Sequence, residues 1–442
     1  MKRCPGLICL LTLFVVQPLL AHTGSEKSSL SGKWLATIDF FGSPLYLKID
    51  LDQQGDKLTG KFGGDALEGT INGSQYHFLA KDTNGGTEEA TGHLEKGILQ
   101  GDVVETSGDD PSHPFKYTFT AAPILPRTTT APQRHEFTPT TFYRQFSPSN
   151  KPVLRINPGD TIHTTTVDAG GVDGKDVRRV LGGNPQTGPF YVETAMPGDT
   201  LVVHINRLRL NRDWAGSDDG LVERSTDSGL AVKVKDNGKN IKWHLDTTAG
   251  TASPAKPSEH LAKYTIPLRP MLGCVATAVG PSAAPPPTGD SGAYGGNMDF
   301  NEIVEGATIY LPVFNPGALL YFGDGHAAQG DGELNGNALE TSMDVEVTVD
   351  VIPGKRPPLP RVENATAIIA TGIDGSLDDA FRAATSNMAS WLADDYKLTP
   401  SEIAQVLGTA AQYKVAEVAD RNVNVVLKID KERLKTITPP QK

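Results

Sequence analysis

The stretch from residue 309 to residue 341, IYLPVFNPGALLYFGDGHAAQGDGELNGNALET, combines two apolar runs with a glycine-rich polar loop. The runs Ile309–Phe314 and Ala318–Phe322 flank the turn Asn315-Pro316-Gly317. They predict two strands that carry the polar loop at their end. The recurring glycines allow positive φ angles and a close approach of the backbone to a ligand. This stretch therefore predicts paired strands that support a binding or catalytic loop.

The polar residues of this loop are of the types that bind a divalent metal. Asp324 and Asp331 flank His326, and Gln329 and Glu333 lie in the same loop. Carboxylates and imidazole together suit a hard or borderline cation. The alternative is a glycine-rich hairpin whose acids are simply solvated, because no rule of ligand spacing fixes this pattern.

At these residues the chain resembles a known family. GDGHAAQGDGE after an LPVF-x-PGAL run is similar to the acetamidase/formamidase family of amide hydrolases, and the resemblance covers about residues 140–430. It is carried further by TGP-x-Y-V-E and PGD-x-L between residues 187 and 201, and by GGN-x-D at residues 295–299. The resemblance implies hydrolysis of short linear amides, such as formamide or acetamide, to ammonia and a carboxylate. It also implies that Asp168, after a predicted strand, and Glu193, at the end of its motif, belong to the site.

A metal would assist amide hydrolysis by polarising the carbonyl and by lowering the pKa of a bound water. A carboxylate could then carry a proton from the water to the leaving ammonia. The candidate metal ligands are His326, Asp168, Asp324 and Asp331. The candidate catalytic proton carriers are Glu193 and Glu333, and the candidate substrate-binding residues are Asn297 and Gln329. We expect the divalent metal to be zinc, with calcium as the alternative.

Two further residues are interpreted as structural. His163 precedes Asp168 by an odd number of residues on one predicted strand, so alternation places it on the other face of the sheet. Cys274 has no acid or base near it in sequence and is typical of a buried core thiol.

Composition limits the classes of partner. The chain has 442 residues and a net charge of −11 without a long block of one sign, which disfavours a nucleic-acid or anionic-membrane surface. Its 46 glycines and 32 prolines indicate many turns and a β-rich fold. The expected partners are a small amide substrate and further copies of the chain, as a homo-oligomer (dimer or higher).

Residues 1–21 read as a secretory signal. Lys2 and Arg3 precede an apolar core, Leu7–Val16, that is too short to span a bilayer. An uncleaved anchor is the alternative. After removal of the signal only Cys274 remains, so the mature chain has no internal disulfide. We expect a periplasmic or secreted protein that is free of the membrane after cleavage.

The remaining chain predicts two domains, mainly β. Residues 22–121 show about eight short strand candidates and predict a small antiparallel β-barrel or sandwich as an accessory domain. Residues 122–138 are rich in proline and threonine and predict a linker. Residues 139–442 form the acetamidase/formamidase-like domain, a larger β-sandwich type with a C-terminal helix pair. The extra β domain and the export signal motivate an alternative function, a non-catalytic ligand- or glycan-binding protein on an amidase scaffold.

Overall fold

A computed structural model describes most of the chain. The described residues are 29–40, 42–126, 131–234, 238–280 and 283–437. The predicted signal peptide lies outside them. By its internal contacts the chain divides into two compact units. One contains the described residues up to Trp34 together with Lys48–Pro123, and the other contains Leu35–Leu47 and Ile124 onward. In the described part of the chain, the helices are too short or too polar to cross a membrane.

The first eight strands close into an antiparallel barrel in which each strand pairs with the next along the chain. The strands are β1 Gly32–Phe40, β2 Ser43–Gln54, β3 Lys57–Phe62, β4 Asp65–Asn72, β5 Gln75–Lys81, β6 Thr87–Glu95, β7 Ile98–Thr106 and β8 Phe115–Pro123. Inward residues alternate with exposed ones along β5. The ring of Phe62 packs at 5.3 Å from Phe78 and 5.7 Å from Phe119 inside the barrel. The barrel prediction is therefore confirmed.

The larger unit is built from short strands and a few helices. Its strands are β9 Arg134–Glu136, β10 Phe142–Tyr143, β11 Leu154–Ile156, β12 Thr161–Thr165, β13 Gln186–Val192, β14 Thr200–Leu210, β15 Trp214–Ser217, β16 Ile241–Asp246, β17 Thr251–Pro254, β18 Ile266–Pro267, β19 Met271–Ala276, β20 Ser291–Gly292, β21 Gly295–Asn297, β22 Thr308–Pro312, β23 Leu320–His326, β24 Glu340–Thr341, β25 Met343–Ile352, β26 Arg361–Glu363, β27 Ala367–Asp374, β28 Gln412–Glu417 and β29 Val423–Asp430. Its α-helices are α1 Ser228–Ala231, α2 Leu377–Tyr396, α3 Pro400–Ala410 and α4 Lys431–Leu434.

These strands form two sheets that share one core. One sheet has the order β28-β29-β27-β26-β22-β14-β25-β12-β9. The other runs β18-β17-β16-β15-β24-β23-β19-β21-β20, and β13 joins it at β23 and carries β10 and β11. Val345 and Val347 of β25 in the first sheet belong to the same buried cluster as Phe190 and Phe322 of the second. This packing of sheet on sheet confirms the β-sandwich type.

Alternation along β25 decides which face meets that core. The alternation of apolar and polar residues in MDVEVTVDVI predicts a strand over Met343–Ile352. The strand has these bounds, and every second residue from Met343 to Val351 is buried. Its two edges pair with β12 and β14, so it lies in the interior of its sheet.

The C-terminal helix pair covers the outer face of the first sheet. Ser376 caps α2 by accepting a hydrogen bond from the Asp379 amide, and Thr399 and Glu402 form a capping box at α3. At Gly372 of β27, a Cβ would lie 1.9 Å from the Ala380 carbonyl oxygen, so glycine permits the close packing of α2. The helix pair is confirmed.

The sequence from Thr399 predicts a second helix that continues to about Tyr413, and this C-terminal end is wrong. Helix α3 ends at Ala410, and Ala411 has extended backbone angles. Gln412–Glu417 instead forms β28, which pairs antiparallel with β29. The backbone N–H and C=O groups of β28 form hydrogen bonds with the edge of β29. This tertiary pairing overrides the local helical preference.

Within the predicted linker, Arg134–Glu136 forms β9 and pairs parallel with β12. His135 on this strand lies 2.9 Å from the Asp160 carboxylate. This segment is therefore attached to the edge of the first sheet.

Candidate active site

The larger unit contains a cavity of about 650 Å³ with an acidic lining. Strand β23 ends at the cavity, and β24, β21 and the loop after β12 contribute other walls. The carboxylates that line it are Asp168, Asp324, Glu333, Glu340 and Asp420. These residues are distant in sequence, and the second sheet with its loops brings them together.

His326 lies at the end of β23 and is 1% exposed. Its Nδ1 donates to Oε1 of Gln329 at 2.9 Å. The Gln329 Nε2 donates to the Asp299 carbonyl oxygen at 2.5 Å, which fixes the Gln329 oxygen toward the imidazole. The proton is therefore held on Nδ1, and Nε2 is directed at the acids. Nε2 has no hydrogen-bond partner.

Two pairs of carboxylates surround this nitrogen. Asp324 and Glu340 form one three-residue group with His326, and Asp299 and Glu333 form another. Within each group, the ligand atoms lie within 4.8 Å of one another. Nε2 is 3.4 Å from Glu340 Oε1, 3.6 Å from Asp324 Oδ2 and 3.9 Å from Asp299 Oδ1. One imidazole nitrogen thus has two possible sets of carboxylate neighbours.

Several oxygens of these acids are buried without a partner. They include Asp299 Oδ1, Asp324 Oδ1 and Glu340 Oε2. A Cβ on Gly273 of β19 would lie 2.3 Å from Asp299 Oδ1 and 2.4 Å from Asp324 Oδ2. The missing side chain at Gly273 therefore makes room for two carboxylates at the same point.

The acids lack compensating positive charge. Burial, with repulsion from neighbouring carboxylates, raises the pKa of Glu340 to about 8, of Glu417 to about 8 and of Asp420 to about 7. The same causes raise the pKa values of Asp299 and Glu333 well above their usual range. A dication among these groups would favour their charged forms.

The imidazole is the basic group nearest to them. Burial opposes protonation of His326, but Glu340 and Asp324 outweigh it and raise the His326 pKa well above its usual value. Among the described residues, no lysine or arginine forms an ion pair with Asp324 or Glu340. Unpartnered buried oxygens, one imidazole nitrogen and a deficit of positive charge together fit a divalent cation.

Asp168 lines the same cavity in a different electrostatic setting. Arg212 Nη2 is 2.7 Å from its Oδ2. The Val172 amide donates to its Oδ1 at 2.9 Å. Both oxygens are thus engaged, and the charge of Asp168 is balanced by Arg212.

Asn297 holds two carboxylates in place. Its Nδ2 donates to Asp299 Oδ2 at 2.7 Å and to Asp420 Oδ2 at 2.8 Å. Its Oδ1 accepts from Asn184 Nδ2 at 2.6 Å. Although Asn297 borders the cavity, its polar atoms are engaged in this network, so it positions the acids.

The structure does not bring Glu193 or Asp331 to the cavity. Glu193 pairs with Arg155 at 2.6 Å, and its side chain is 35% exposed. Asp331 pairs with Lys414 at 2.8 Å, and its side chain is 58% exposed. Burial works against the charged form of Asp331, but Lys414 and Asn301 lower its pKa. Both acids have a cationic partner, unlike the group around His326.

Sequence reasoning missed three acids of this cluster as site residues. Glu340 lies near the end of the 309–341 stretch, and pairing of β23 with β24 sets it opposite His326. Asp299 belongs to the GGN-x-D motif, where the sequence leaves open whether it is a ligand or stabilises the loop. Asp420 comes from the turn between β28 and β29, where the sequence carries no signal for a site.

The residues interpreted as structural lie outside the cavity lining. His163 is surrounded by Glu136, Asp344 and Arg207 on the first sheet. Cys274 is fully buried, and burial together with Asp324 raises the pKa of its thiol well above the usual value. A thiol held protonated in this way is a poor nucleophile. The prediction of a buried core thiol is confirmed.

Comparison with known proteins connects this site to a family. A model of the Acetamidase/Formamidase family matches residues 284–369, a segment that contains Asp299, Asp324, His326, Glu333 and Glu340. Over this segment the larger unit is similar to the acetamidase/formamidase family. His326 and the four carboxylates grouped with it therefore all lie within the segment that matches this family.

Two curated relatives carry the names of this family. The acetamidase of Mycolicibacterium smegmatis is 29% identical over 218 residues, which are 38% of this chain and 53% of that protein. The formamidase of Methylophilus methylotrophus is 24% identical over 265 residues, which are 48% of this chain and 64% of that protein. The chain thus spans about half to just under two thirds of the length of these two curated relatives.

A solved structure matches over a longer range. The crystal structure of a predicted acetamidase/formamidase from Thermoanaerobacter tengcongensis has a TM-score of 0.58 and 27% identity. The match covers 69% of this chain and 98% of that chain. Nearly all of that acetamidase/formamidase fold is thus represented here, and a substantial part of this chain lies outside the match.

Proposed function

We propose that the larger unit is a divalent-metal-dependent hydrolase of short linear amides, which produces ammonia and a carboxylate. The main support is the buried Nε2 of His326, which is surrounded by carboxylates with unpartnered oxygens beside the cavity. The names of the acetamidase and formamidase relatives support the choice of substrate class.

We assign the cation to His326, Asp324 and Glu340, because these two carboxylates lie nearest to Nε2. Zinc is the first candidate, since it accepts a mixed nitrogen and oxygen ligand set. Calcium, the alternative, prefers oxygen ligands alone. When bound, such a cation polarises an amide carbonyl and acidifies a water molecule.

Three neighbouring residues of the site hold or transfer protons. Gln329 keeps the His326 proton on Nδ1, so that Nε2 presents its lone pair. Glu333 and Asp420 are the proton carriers that this arrangement offers, since both line the cavity near the assigned ligands. Either could take a proton from water and return it to the departing nitrogen.

The proposed function is tested with purified full-length protein. We expect ammonia release from a panel that includes formamide and acetamide, loss of this release after chelation, and recovery on adding back zinc. No ammonia from any amide in the panel, with stoichiometric metal bound, would refute amide hydrolysis. Full turnover in the metal-free protein would refute metal dependence.

Export and self-association extend this proposal. The signal-like segment supports export to the periplasm or the medium, and the acetamidase-like unit would then act outside the cytoplasm. A homo-oligomer, dimer or higher, is tested by light scattering of the purified protein, where a monomer mass would reject it.

A further inference from the structure

We propose that a second cavity of the larger unit, between α2 and the outer face of the first sheet, binds a small organic monocarboxylate at the guanidinium group of Arg361. Its volume of about 240 Å³ is just below the ~300–1,000 Å³ of pockets for drug-sized ligands, so it suits a small molecule. This cavity shares no lining residue with the acidic cavity. The inference is therefore independent of amide hydrolysis.

Arg361 of β26 is the buried cation of this second cavity, and it is 5% exposed. Its Nε donates to Asn387 Oδ1 at 3.0 Å. Its Nη2 donates to the Asn387 carbonyl oxygen and to Ser390 Oγ, each at 3.3 Å. Within the described part of the chain, Nη1 has no hydrogen-bond partner. Because a guanidinium group carries N–H donors on all three nitrogens, those on Nη1 remain available to a ligand.

The charge of Arg361 is not matched by a close carboxylate. Of the acids that the structure describes, Asp394 alone comes within ion-pair distance, at 3.9 Å from Nη2, and its side chain is exposed. Burial lowers the pKa of Arg361, and the negative charges of Asp394 and Asp395 offset this effect only in part. A buried cation in this state is costly. A carboxylate on Nη1 would compensate for it through a charge-assisted hydrogen bond.

The two acids that line the second cavity are already engaged. All four of their oxygens have partners, which are Lys355 and Trp391 for Asp395, and Lys431 and Tyr310 for Glu363. The Tyr396 hydroxyl also lines the cavity, and it forms no hydrogen bond to any residue that the structure describes. Free donors therefore face the cavity while its carboxylates are occupied. Such a site selects a ligand that accepts hydrogen bonds.

The walls of the second cavity indicate what the ligand carries besides its anionic group. The rings of Tyr310 and Trp391 lie 5.9 Å apart at an angle of 69°, and the guanidinium carbon of Arg361 is 5.1 Å from the Trp391 ring centre. These rings offer apolar surface to a short aliphatic or aromatic tail next to the cation. The nearby charges of Asp395 and Glu363 repel a second negative charge on the ligand. A monocarboxylate with a short apolar tail meets both conditions.

The test is calorimetric titration of the full-length protein with butyrate at neutral pH. We expect saturable binding of butyrate. Two ligands serve as controls, and neither should bind comparably: n-butanol keeps an apolar tail without the charge, and inorganic phosphate is an anion without a tail.

Two variants test the assigned donors. Arg361→Gln should weaken butyrate binding on the order of 10- to 100-fold, because a hydrogen bond between charged partners is lost. Tyr396→Phe should weaken it by about 3- to 10-fold, because a neutral donor is lost. Tyr396→Phe removes no hydrogen bond within the described structure, so it is expected to fold even if Arg361→Gln does not.

Arg356→Gln is the matched control for the loss of a positive charge. Arg356 is exposed and packs over the Phe314 ring at 5.1 Å, outside the second cavity. This variant should bind butyrate with the affinity of the wild-type protein.

Several results would overturn the inference. One is the absence of saturable butyrate binding, and another is binding of n-butanol or phosphate as tight as that of butyrate. Wild-type affinity in a folded Arg361→Gln protein would place the carboxylate elsewhere, the acidic cavity included. If Arg361→Gln does not fold, wild-type affinity in Tyr396→Phe has the same consequence.

Discussion

Gly273→Ala is the substitution that tests the geometry of the acidic cluster most directly. The added methyl would lie 2.3 Å from Asp299 Oδ1 and 2.4 Å from Asp324 Oδ2. A Cβ contact is rarely below 3.0 Å, so the nearer oxygen must move by at least 3.0 − 2.3 = 0.7 Å. Metal ligands hold their distances to within roughly 0.2 Å, so this displacement breaks the arrangement.

The expected magnitude follows from that displacement. A misplacement of about 1 Å at a reactive centre costs on the order of 100-fold in rate. We therefore expect kcat/KM for amide hydrolysis to fall about 100-fold and metal content to fall well below that of the wild type. The free energy of unfolding should decrease by about 1–3 kcal/mol, because the methyl overpacks a buried strand.

The assay combines ammonia release, metal analysis and urea denaturation on the same preparation. Gly280→Ala is the matched control, since its Cβ would meet the Phe314 ring at an ordinary 3.4 Å, away from the acids. This control should behave as wild type. A Gly273→Ala protein with wild-type metal content and wild-type turnover would refute the role assigned to the carboxylates at this point.

Further expectations concern other parts of the chain. His326→Ala should lose bound metal and amide turnover, whereas His163→Ala should keep its metal; equal metal content in both would remove His326 from the site. Trp391→Ala should lower the free energy of unfolding by about 3–5 kcal/mol, because its ring packs between α2 and the first sheet, and a change below about 1 kcal/mol in denaturant melts would contradict this. Burial opposes ionisation of Asp160, but hydrogen bonds from two backbone amides and a histidine lower its pKa overall. The ionised Asp160 therefore stabilises the fold fully above the unfolded pKa of about 4, and this stabilisation is lost as the pH falls through the lower folded pKa. Asp160→Asn should abolish this pH dependence in acid-denaturation curves. Intact-mass analysis of the exported protein should show loss of residues 1–21, and a full-length mass would contradict cleavage.

Local patterns were sufficient for much of the architecture. Alternation of apolar and polar residues in the sequence predicted strands of the barrel and β25, because a strand places successive side chains on opposite faces. The sequence Thr399-Pro400-Ser401-Glu402 marked the start of α3 for an equally local reason, because proline and an acid are favoured in the first turn of a helix. The 309–341 stretch also contained His326 and Asp324, whose side-chain types alone are those of a metal site.

The composition of the site depended on tertiary structure. Glu340 joins His326 through the register of β23 and β24, and Asp420 arrives from a hairpin whose first strand overlaps the predicted helix. Glu193 and Asp331 have the right chemistry, yet each is neutralised by a cation that the fold places beside it, Arg155 or Lys414. A sequence determines which acids exist and which strands carry them. Whether an acid is buried without a partner or paired with a cation depends on strand register and chain crossings, which set distances between residues far apart in the chain.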